Sequence, residues 1–276
     1  MTFLSTPASE TQITHGRRLW LYALSALVMM FLVAPSFIVV PMSFSASTYL
    51  EFPPREWSLR WYENYIYSLE WREATWISLK AALATMFTAT ILGTAAAYGL
   101  HVSRFRVGTV VQTMLFMPLM VPVILIGIAV FFLYAKMGLN NTLLGLVLAH
   151  TVLALPYVLV TVTAGLKTYD MNQEMVARSL GAPRLYAFLA ITLPQIRFSV
   201  IAGALFAFIT SLDEVIVALF ISGGENSTLT RRMFNALRDQ IDPTIAAIST
   251  CLIVVSIILL VLVYVFGNQR ERRAQP

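Results

Sequence analysis

Charged residues are scarce in this sequence of 276 residues. They make up 12% of the chain, against about a quarter of an ordinary soluble domain, whereas 58% of the residues are hydrophobic and the mean hydropathy is +0.74. A single water-solvated core stops growing near this length, so a soluble fold has nowhere to bury so much apolar surface. The composition therefore excludes a soluble enzyme and a nucleic-acid-binding domain, despite a pI of about 9.5, and predicts that lipid is the solvent.

Cysteine and histidine are also scarce. Cys251 is the single cysteine and cannot form a disulfide within the chain. The histidines, His15, His101 and His150, lie far apart in the sequence, with no cysteine or paired carboxylate at metal-ligand spacing. We therefore expect no metal site, no resident cofactor and no redox chemistry in this chain.

Motifs for nucleotide binding and for hydrolysis are absent. No Gly-x-x-x-x-Gly-Lys-Ser/Thr sequence occurs, and none of the lysines, Lys80, Lys136 and Lys167, follows a glycine. The sequence also lacks the Gly-x-Ser-x-Gly and His-Glu-x-x-His patterns of hydrolases. The chain is therefore not expected to be an enzyme, and any ATP that drives it is bound and hydrolysed by another subunit.

Long apolar runs are what the sequence has in abundance. A helix needs about 20 mostly apolar residues to cross a bilayer, and six runs reach that length. The first is too long for the apolar region of a signal peptide, so it is interpreted as an anchor that follows a tail, residues 1–18. We expect an all-α transmembrane fold in which residues 19–276 form one domain. The predicted spans are 19–41, 74–100, 107–134, 143–166, 198–221 and 245–266.

The distribution of basic residues predicts the orientation of these spans. With the N-terminus in the cytoplasm, the cytoplasmic loops and tails hold an excess of arginine and lysine, whereas the opposite side is close to neutral. Both termini are then cytoplasmic. Most of the net charge of +5 is explained as a topology signal, so no nucleic-acid partner is implied.

One cytoplasmic connection, residues 167–197, is much longer than the others. Asp170 with Gln173 three residues later is typical of a helix N-cap and its reciprocal partner. Gly181 stands where a helix commonly ends in a left-handed residue, and Pro183 follows at a position suited to begin a second helix. This helix–glycine–helix unit, expected to end just before the fifth span, is either a plain connector or a docking element for a soluble partner.

Two adjacent acids, Asp213 and Glu214, lie inside the fifth apolar run, in the predicted outer half of the membrane. An ionised carboxylate facing lipid costs several kcal/mol, so these side chains are expected to face a water-filled pathway or a partner and to attract a cation. Adjacent helical positions are about 100° apart, so the two cannot point the same way. The alternative is a helix-end pair that reaches the headgroups or forms an ion pair with Arg231 or Arg232.

The stretch 174–194 resembles the EAA loop of ABC importer permeases, in which Glu-Ala-Ala precedes a glycine and an Ile-x-Leu-Pro sequence follows. Met175 occupies the position of that family's glutamate, with Glu174 one residue earlier. Ala177 keeps the third position of the motif. The other loop residues that match the family are Gly181, Ala182, Ile191, Leu193 and Pro194.

Two further segments, 52–62 and 211–221, are similar to the spermidine/putrescine branch of these permeases. The resemblance implies import of a small cationic organic solute such as putrescine or spermidine; other organic cations, opines, amino-acid derivatives and iron complexes are the alternatives within the branch. It also implies a bacterial inner membrane, a second homologous permease, two ATPase subunits that bind ATP and Mg, and an extracytoplasmic solute-binding protein. The residues it assigns to ATPase coupling are Glu174, Met175, Ala177, Gly181, Ala182, Pro183 and Arg184.

A stand-alone secondary transporter or channel is the alternative interpretation. An ion gradient then drives transport, and Asp213 or Glu214 carries the proton. An inverted internal repeat would favour such a transporter, and the sequence shows none. This interpretation also leaves the helix–glycine–helix loop unexplained.

Overall fold

The computed structural model describes residues 15–103, 108–239 and 241–271, and most of them are helical. Among these residues no strand occurs, and the one isolated bridge joins Ser45 to Trp57. The all-α transmembrane class predicted from the sequence is thereby confirmed.

Twelve α-helices lie in the described ranges, and one π turn, Phe188–Thr192, joins the eighth helix to the ninth without a break. The contacts divide the described residues into two units, which are treated separately below. In chain order the helices are α1 (Leu19–Met42), α2 (Arg60–Tyr67), α3 (Leu69–Val102), α4 (Gly108–Met120), α5 (Val123–Met137), α6 (Leu143–Thr168), α7 (Asn172–Ser179), α8 (Arg184–Ala187), α9 (Leu193–Leu212), α10 (Ile216–Ile221), α11 (Leu229–Asp239) and α12 (Thr244–Glu271).

The first unit consists of residues 15–65 and 241–254. After α1 the chain folds back, so that the hydroxyl oxygen of Tyr62 lies 2.7 Å from Ser43 Oγ and the indole N–H of Trp61 donates to a backbone carbonyl of the loop. None of the described positions of α1 is buried. Because this helix is apolar all round, it is typical of a helix in contact with lipid.

The second unit is built on α3, α6 and α9, where α6 runs parallel to α3 and antiparallel to α9. Val158 of α6 lies between two glycines, one on each neighbouring helix. A Cβ atom added to Gly93 of α3 would lie 2.8 Å from Val158 Cβ, and one added to Gly203 of α9 would lie 3.2 Å from Val158 Cα. In lipid the hydrophobic effect does not drive helices together. Van der Waals packing at small residues, which let the helix backbones approach closely, therefore stabilises this bundle.

Two hydrogen bonds between side chains cross the same bundle. The hydroxyl oxygens of Thr88 on α3 and Thr151 on α6 are 2.7 Å apart. His150 Nδ1 on α6 lies 2.7 Å from Ser211 Oγ on α9, and this histidine is fully buried. Polar contacts of this kind stabilise helix pairs in lipid, so the position of His150 fits a structural role.

The third predicted span, 107–134, is not the continuous helix that the sequence suggested, and its first residue lies outside the described ranges. The chain leaves the helix at Val121 and Pro122, and α4 and α5 meet at an angle of 101°. Pro122 explains this break, because proline has no backbone N–H and disfavours the helical conformation in the residue before it.

The fifth predicted span, 198–221, does not coincide with one continuous helix. The helix begins at Arg184 and continues through the π turn and Pro194 as far as Leu212. The widened turn accommodates the proline, whose missing N–H would otherwise interrupt the helix. Residues 213–215 then leave the regular helix before α10 begins.

In the part of the chain that the structure describes, four helices are long and apolar enough to cross a membrane, namely Leu19–Met42, Leu69–Val102, Leu143–Thr168 and Arg184–Leu212. The bent pair α4 and α5 makes a fifth span if it is counted as one, and α12 has a described apolar part, Thr244–Leu259. The count of six and the single domain 19–276 stay predictions. Most of the predicted tail 1–18 lies outside the described residues, which begin at His15.

The close contact at Val158 predicts that Gly93→Ala destabilises the bundle. The added methyl group meets the rigid Cβ of Val158, so α3 and α6 must separate, at a cost of about 1–3 kcal/mol. Thermal unfolding of the purified chain in detergent measures the effect. Gly99→Ala is the control on the same helix, because a Cβ there would have no atom of another described element within 4 Å. Equal unfolding midpoints for the two variants would contradict the packing.

Candidate functional site

The long connection between α6 and α9 contains a helix, a left-handed glycine and a second helix. Gly181 has φ +95°, a conformation that favours glycine over residues with a side chain. The N–H of Ala182 donates to the carbonyl of Ala177, and the N–H of Gly181 donates to the carbonyl of Arg178. These two bonds form the Schellman ending of α7. Pro183 was expected to begin the second helix. It is instead the N-cap residue, and α8 begins one residue later at Arg184.

The start of α7 differs from the expected reciprocal cap. Asp170 Oδ1 accepts a hydrogen bond from the N–H of Asn172 at 3.0 Å, and the N–H of Gln173 donates to the backbone carbonyl of Asp170 at 3.3 Å. The aspartate therefore closes a local turn ahead of the helix, which begins at Asn172.

The loop exposes an unusual number of large apolar side chains. Leu180 is 85% exposed at the end of α7, and Leu185 is 70% exposed on α8. Several large apolar side chains exposed within one short loop are typical of a protein–protein contact. We call this surface the loop patch, and it consists of Met175, Val176, Leu180, Leu185 and Tyr186.

Glu174 has the opposite environment, since it is 1% exposed although both of its neighbours are exposed. Its carboxylate accepts two hydrogen bonds from other elements. The hydroxyl of Tyr98, near the end of α3, donates to Oε1 at 2.5 Å, and the hydroxyl of Thr192, in the π turn, donates to Oε2 at 2.5 Å. The side chain therefore points into the protein. Of the other residues assigned to coupling, Ala177 and Ala182 are half-buried, and Met175, Gly181, Pro183 and Arg184 are exposed.

Tyr98 and Thr192 were not singled out by the sequence analysis. Tyr98 packs its ring 4.5 Å from the ring of Phe188, and the guanidinium carbon of Arg184 lies 5.5 Å from the centre of the same tyrosine ring. Neither residue carries a recognisable signal, because each lies in or beside an apolar run. Only the fold brings them to Glu174.

The structure separates the roles of Asp213 and Glu214. They are not adjacent positions of one helix, as the sequence suggested, because α9 ends at Leu212. Glu214 Oε1 accepts a hydrogen bond from the N–H of Val217 at 2.8 Å and so satisfies the first turn of α10. Asp213 is exposed in the break between the two helices. Of the two acids, Asp213 is the more exposed.

The ion pairs considered for these acids do not form in the described part of the chain. Arg232 pairs instead with Glu70. Arg231 Nη1 lies 3.5 Å from the carbonyl oxygen of Ala218 in α10. Partial burial lowers the pKa of the Arg231 guanidinium, but an arginine side chain still stays charged at neutral pH.

Comparison with known proteins identifies relatives along most of the chain. The profile of the family described as "Binding-protein-dependent transport system inner membrane component" matches residues 89–275. The chain is 31% identical to the putrescine transport system permease protein PotI of Escherichia coli strain K12, over 92% of this chain and 93% of that protein. It is 33% identical to the spermidine/putrescine transport system permease protein PotC of Haemophilus influenzae, over 84% and 90% respectively.

A solved structure supports the fold. One chain in the crystal structure of a bacterial ABC transporter for the import of the acidic polysaccharide alginate superimposes with a TM-score of 0.68. The superposition covers 96% of the present chain and 99% of the other, at 15% sequence identity. At this identity the similarity establishes a common fold and nothing about the solute.

The contact of Glu214 predicts a stability difference between two substitutions. Glu214→Ala removes the acceptor for the N–H of Val217 and is expected to cost about 1 kcal/mol, as for other lost caps. Glu214→Gln keeps an oxygen in the same place and is expected to unfold near the parent midpoint. Thermal unfolding of both variants in detergent checks this, and equal losses would show that the side chain does not cap α10.

Proposed function

The chain belongs to the family of binding-protein-dependent transport system inner membrane components, and from that membership we propose that it is the permease subunit of an ATP-driven importer of polyamines such as putrescine or spermidine. It is an ABC importer permease, as the EAA-like loop predicted. It forms part of a transport pathway and is not itself an enzyme. The polyamine specificity, the assembly and the coupling residues are the parts that require testing.

A cationic solute is supported by two independent observations. The relatives that align over most of the chain are named for putrescine and spermidine transport. In addition, Asp213 exposes a carboxylate in an apolar setting, where a negative charge attracts an ammonium group more strongly than it does in bulk water. We assign Asp213 to the solute pathway and Glu214 to the support of α10.

The proposed partners follow from membership of the family, and the exposed loop gives one of them a docking surface. The sequence contains no P-loop, and the family implies two ATPase subunits that bind ATP and Mg. The loop patch is the surface on which we expect an ATPase to dock, and the Gly181 turn joins α7 to α8 within it. A second homologous permease and an extracytoplasmic binding protein complete the proposed assembly in the bacterial inner membrane, with both termini of this chain in the cytoplasm.

The proposed mechanism is a shift between two conformations and involves no chemistry on the solute. ATP binding closes the ATPase pair and moves the loop residues Met175, Ala177, Gly181, Ala182, Pro183 and Arg184 with it. The spans then rock so that the pathway opens outward and receives the solute from the binding protein. Hydrolysis resets the assembly.

The loop patch is the single observation of this structure that carries the proposal. Its first test is co-purification of the tagged chain from detergent-solubilised membranes, with the recovered subunits identified. Recovery of an ATPase and a second permease supports the assembly. A chain that purifies alone, and that transports a solute in vesicles without ATP, would favour the secondary transporter instead.

A substitution in the loop patch is expected to release the ATPase. Leu180→Asp places a charge at the most exposed position of the loop patch. The variant loses the burial of the leucine side chain against the ATPase, which lowers the binding free energy by about 1.5–3 kcal/mol, or the affinity by at least about tenfold. Asn172→Asp adds the same charge to the exposed first turn of α7 and is expected to leave co-purification unchanged. Retention of the ATPase by Leu180→Asp would exclude the patch as the docking surface.

Removal of one carboxylate is expected to impair uptake of a cation. Asp213→Asn keeps the shape of the side chain and removes its charge, so putrescine uptake by the assembled transporter should fall about tenfold, through a higher KM. Asp239→Asn is the matched control, because Asp239 is exposed and already pairs with Arg238. Equal uptake by the two variants would remove Asp213 from the pathway.

A further inference from the structure

The cytoplasmic loop contains one buried ionisable side chain, among those described, and it belongs to Glu174. Burial of a carboxylate is strongly unfavourable unless hydrogen bonds replace the lost water. Here each carboxylate oxygen accepts one bond, from Tyr98 and from Thr192 respectively. The two donors belong to different spans, so a single side chain of the loop is bonded to both.

Little else in the described residues ties α7 to the bundle by side-chain hydrogen bonds. The helix is joined to α6 by Tyr169–Met171 and to α8 by Leu180–Pro183, and the second of these segments contains the left-handed Gly181. The polar contacts of Asp170 and Ser179 stay within the loop itself. Two short non-helical connections make a compliant joint unless another contact stiffens it.

We propose that Glu174 is a positioning residue that locks α7 to the cytoplasmic ends of α3 and α9. With this lock, a displacement of the loop patch is transmitted to both spans at once. Without this lock, α7 moves relative to the bundle about its two connecting segments, and the displacement does not reach the spans. The inference rests on the proposed function of the loop as an ATPase docking element.

The lock also explains why an acid stands one residue before the motif position of the family's glutamate. While its side chain is 1% exposed, Glu174 offers no carboxylate to a docked subunit. The loop patch supplies the exposed contact surface, and Glu174 holds α7, which carries part of that patch, to the two spans. An internal role and a partner-facing role make different demands on the side chain. A glutamine amide can still form hydrogen bonds with two hydroxyl groups, because a hydroxyl both donates and accepts, but it cannot form an ion pair with an arginine of a partner.

The first experiment measures the lock without any partner. Spin labels are attached at Phe87→Cys, an exposed position of α3, and at Ser179→Cys, an exposed position of α7, in the full chain carrying Cys251→Ser in lipid nanodiscs. We expect one narrow distance distribution in the parent. It should broaden by about twofold in Glu174→Ala and in the double variant Tyr98→Phe/Thr192→Val, and stay narrow in Glu174→Gln.

The matched control is the double variant Tyr157→Phe/Thr168→Val, which removes one hydroxyl of each kind from α6. Thr168 donates within its own helix, and in the described residues neither hydroxyl bonds to α7. The distribution should stay narrow in this control. An unchanged distribution in Tyr98→Phe/Thr192→Val, or equal broadening in the control, would overturn the lock whatever the loop binds.

The second experiment uses the assembled transporter and measures solute taken up per ATP hydrolysed. The lock predicts that Glu174→Gln stays within about threefold of the parent, whereas Glu174→Ala and Tyr98→Phe/Thr192→Val fall by at least about tenfold with the ATPase still bound. An ion pair with the ATPase predicts the reverse, namely that Glu174→Gln loses the ATPase and the Tyr98→Phe/Thr192→Val variant keeps normal coupling. If the parent chain itself binds no ATPase, the proposed function fails, and the distance measurement still decides the lock.

Discussion

The contact of Val158 with Gly93 and Gly203 fixes three helices relative to one another, and the rest of the second unit depends on it. In lipid the apolar surfaces of helices gain little from association, so the bundle requires places where backbones approach closely. These helices carry His150 and Ser211 toward one end, whereas Tyr98 and the π turn with Thr192, which leads into α9, lie toward the other. The close contact at the centre therefore holds the side chains at both ends of the bundle in place.

Three acids of this chain show how the environment decides what a carboxylate does. Glu174 is buried and accepts bonds from two spans, so it joins elements together. Glu214 accepts a bond from the first turn of a short helix and supports local structure. Asp213 lies beside it without such a bond in the described structure and is exposed. The same chemical group is thus buried between elements at one position, caps a short helix at another and is exposed at the third.

Features that depend on local sequence could be predicted, and features that depend on the meeting of distant segments could not. The left-handed Gly181 and the presence of long apolar helices follow from residue type and run length, and the structure shows this glycine and four such helices among the described residues. The bend at Pro122 and the π turn before Pro194 were missed, because proline in a membrane helix is accommodated or not according to its neighbours. The direction of Glu174 was missed because its partners are 76 and 18 residues away in sequence.

The central claim is that this permease moves solute only when a separate ATPase drives its loop. The most direct test reconstitutes the chain with its second permease, ATPases and binding protein in liposomes, and follows labelled putrescine with and without ATP. The account predicts uptake that requires both ATP and the ATPase subunits and that is absent with this chain alone. Uptake by the chain alone under an ion gradient, unaffected by ATP, would contradict it.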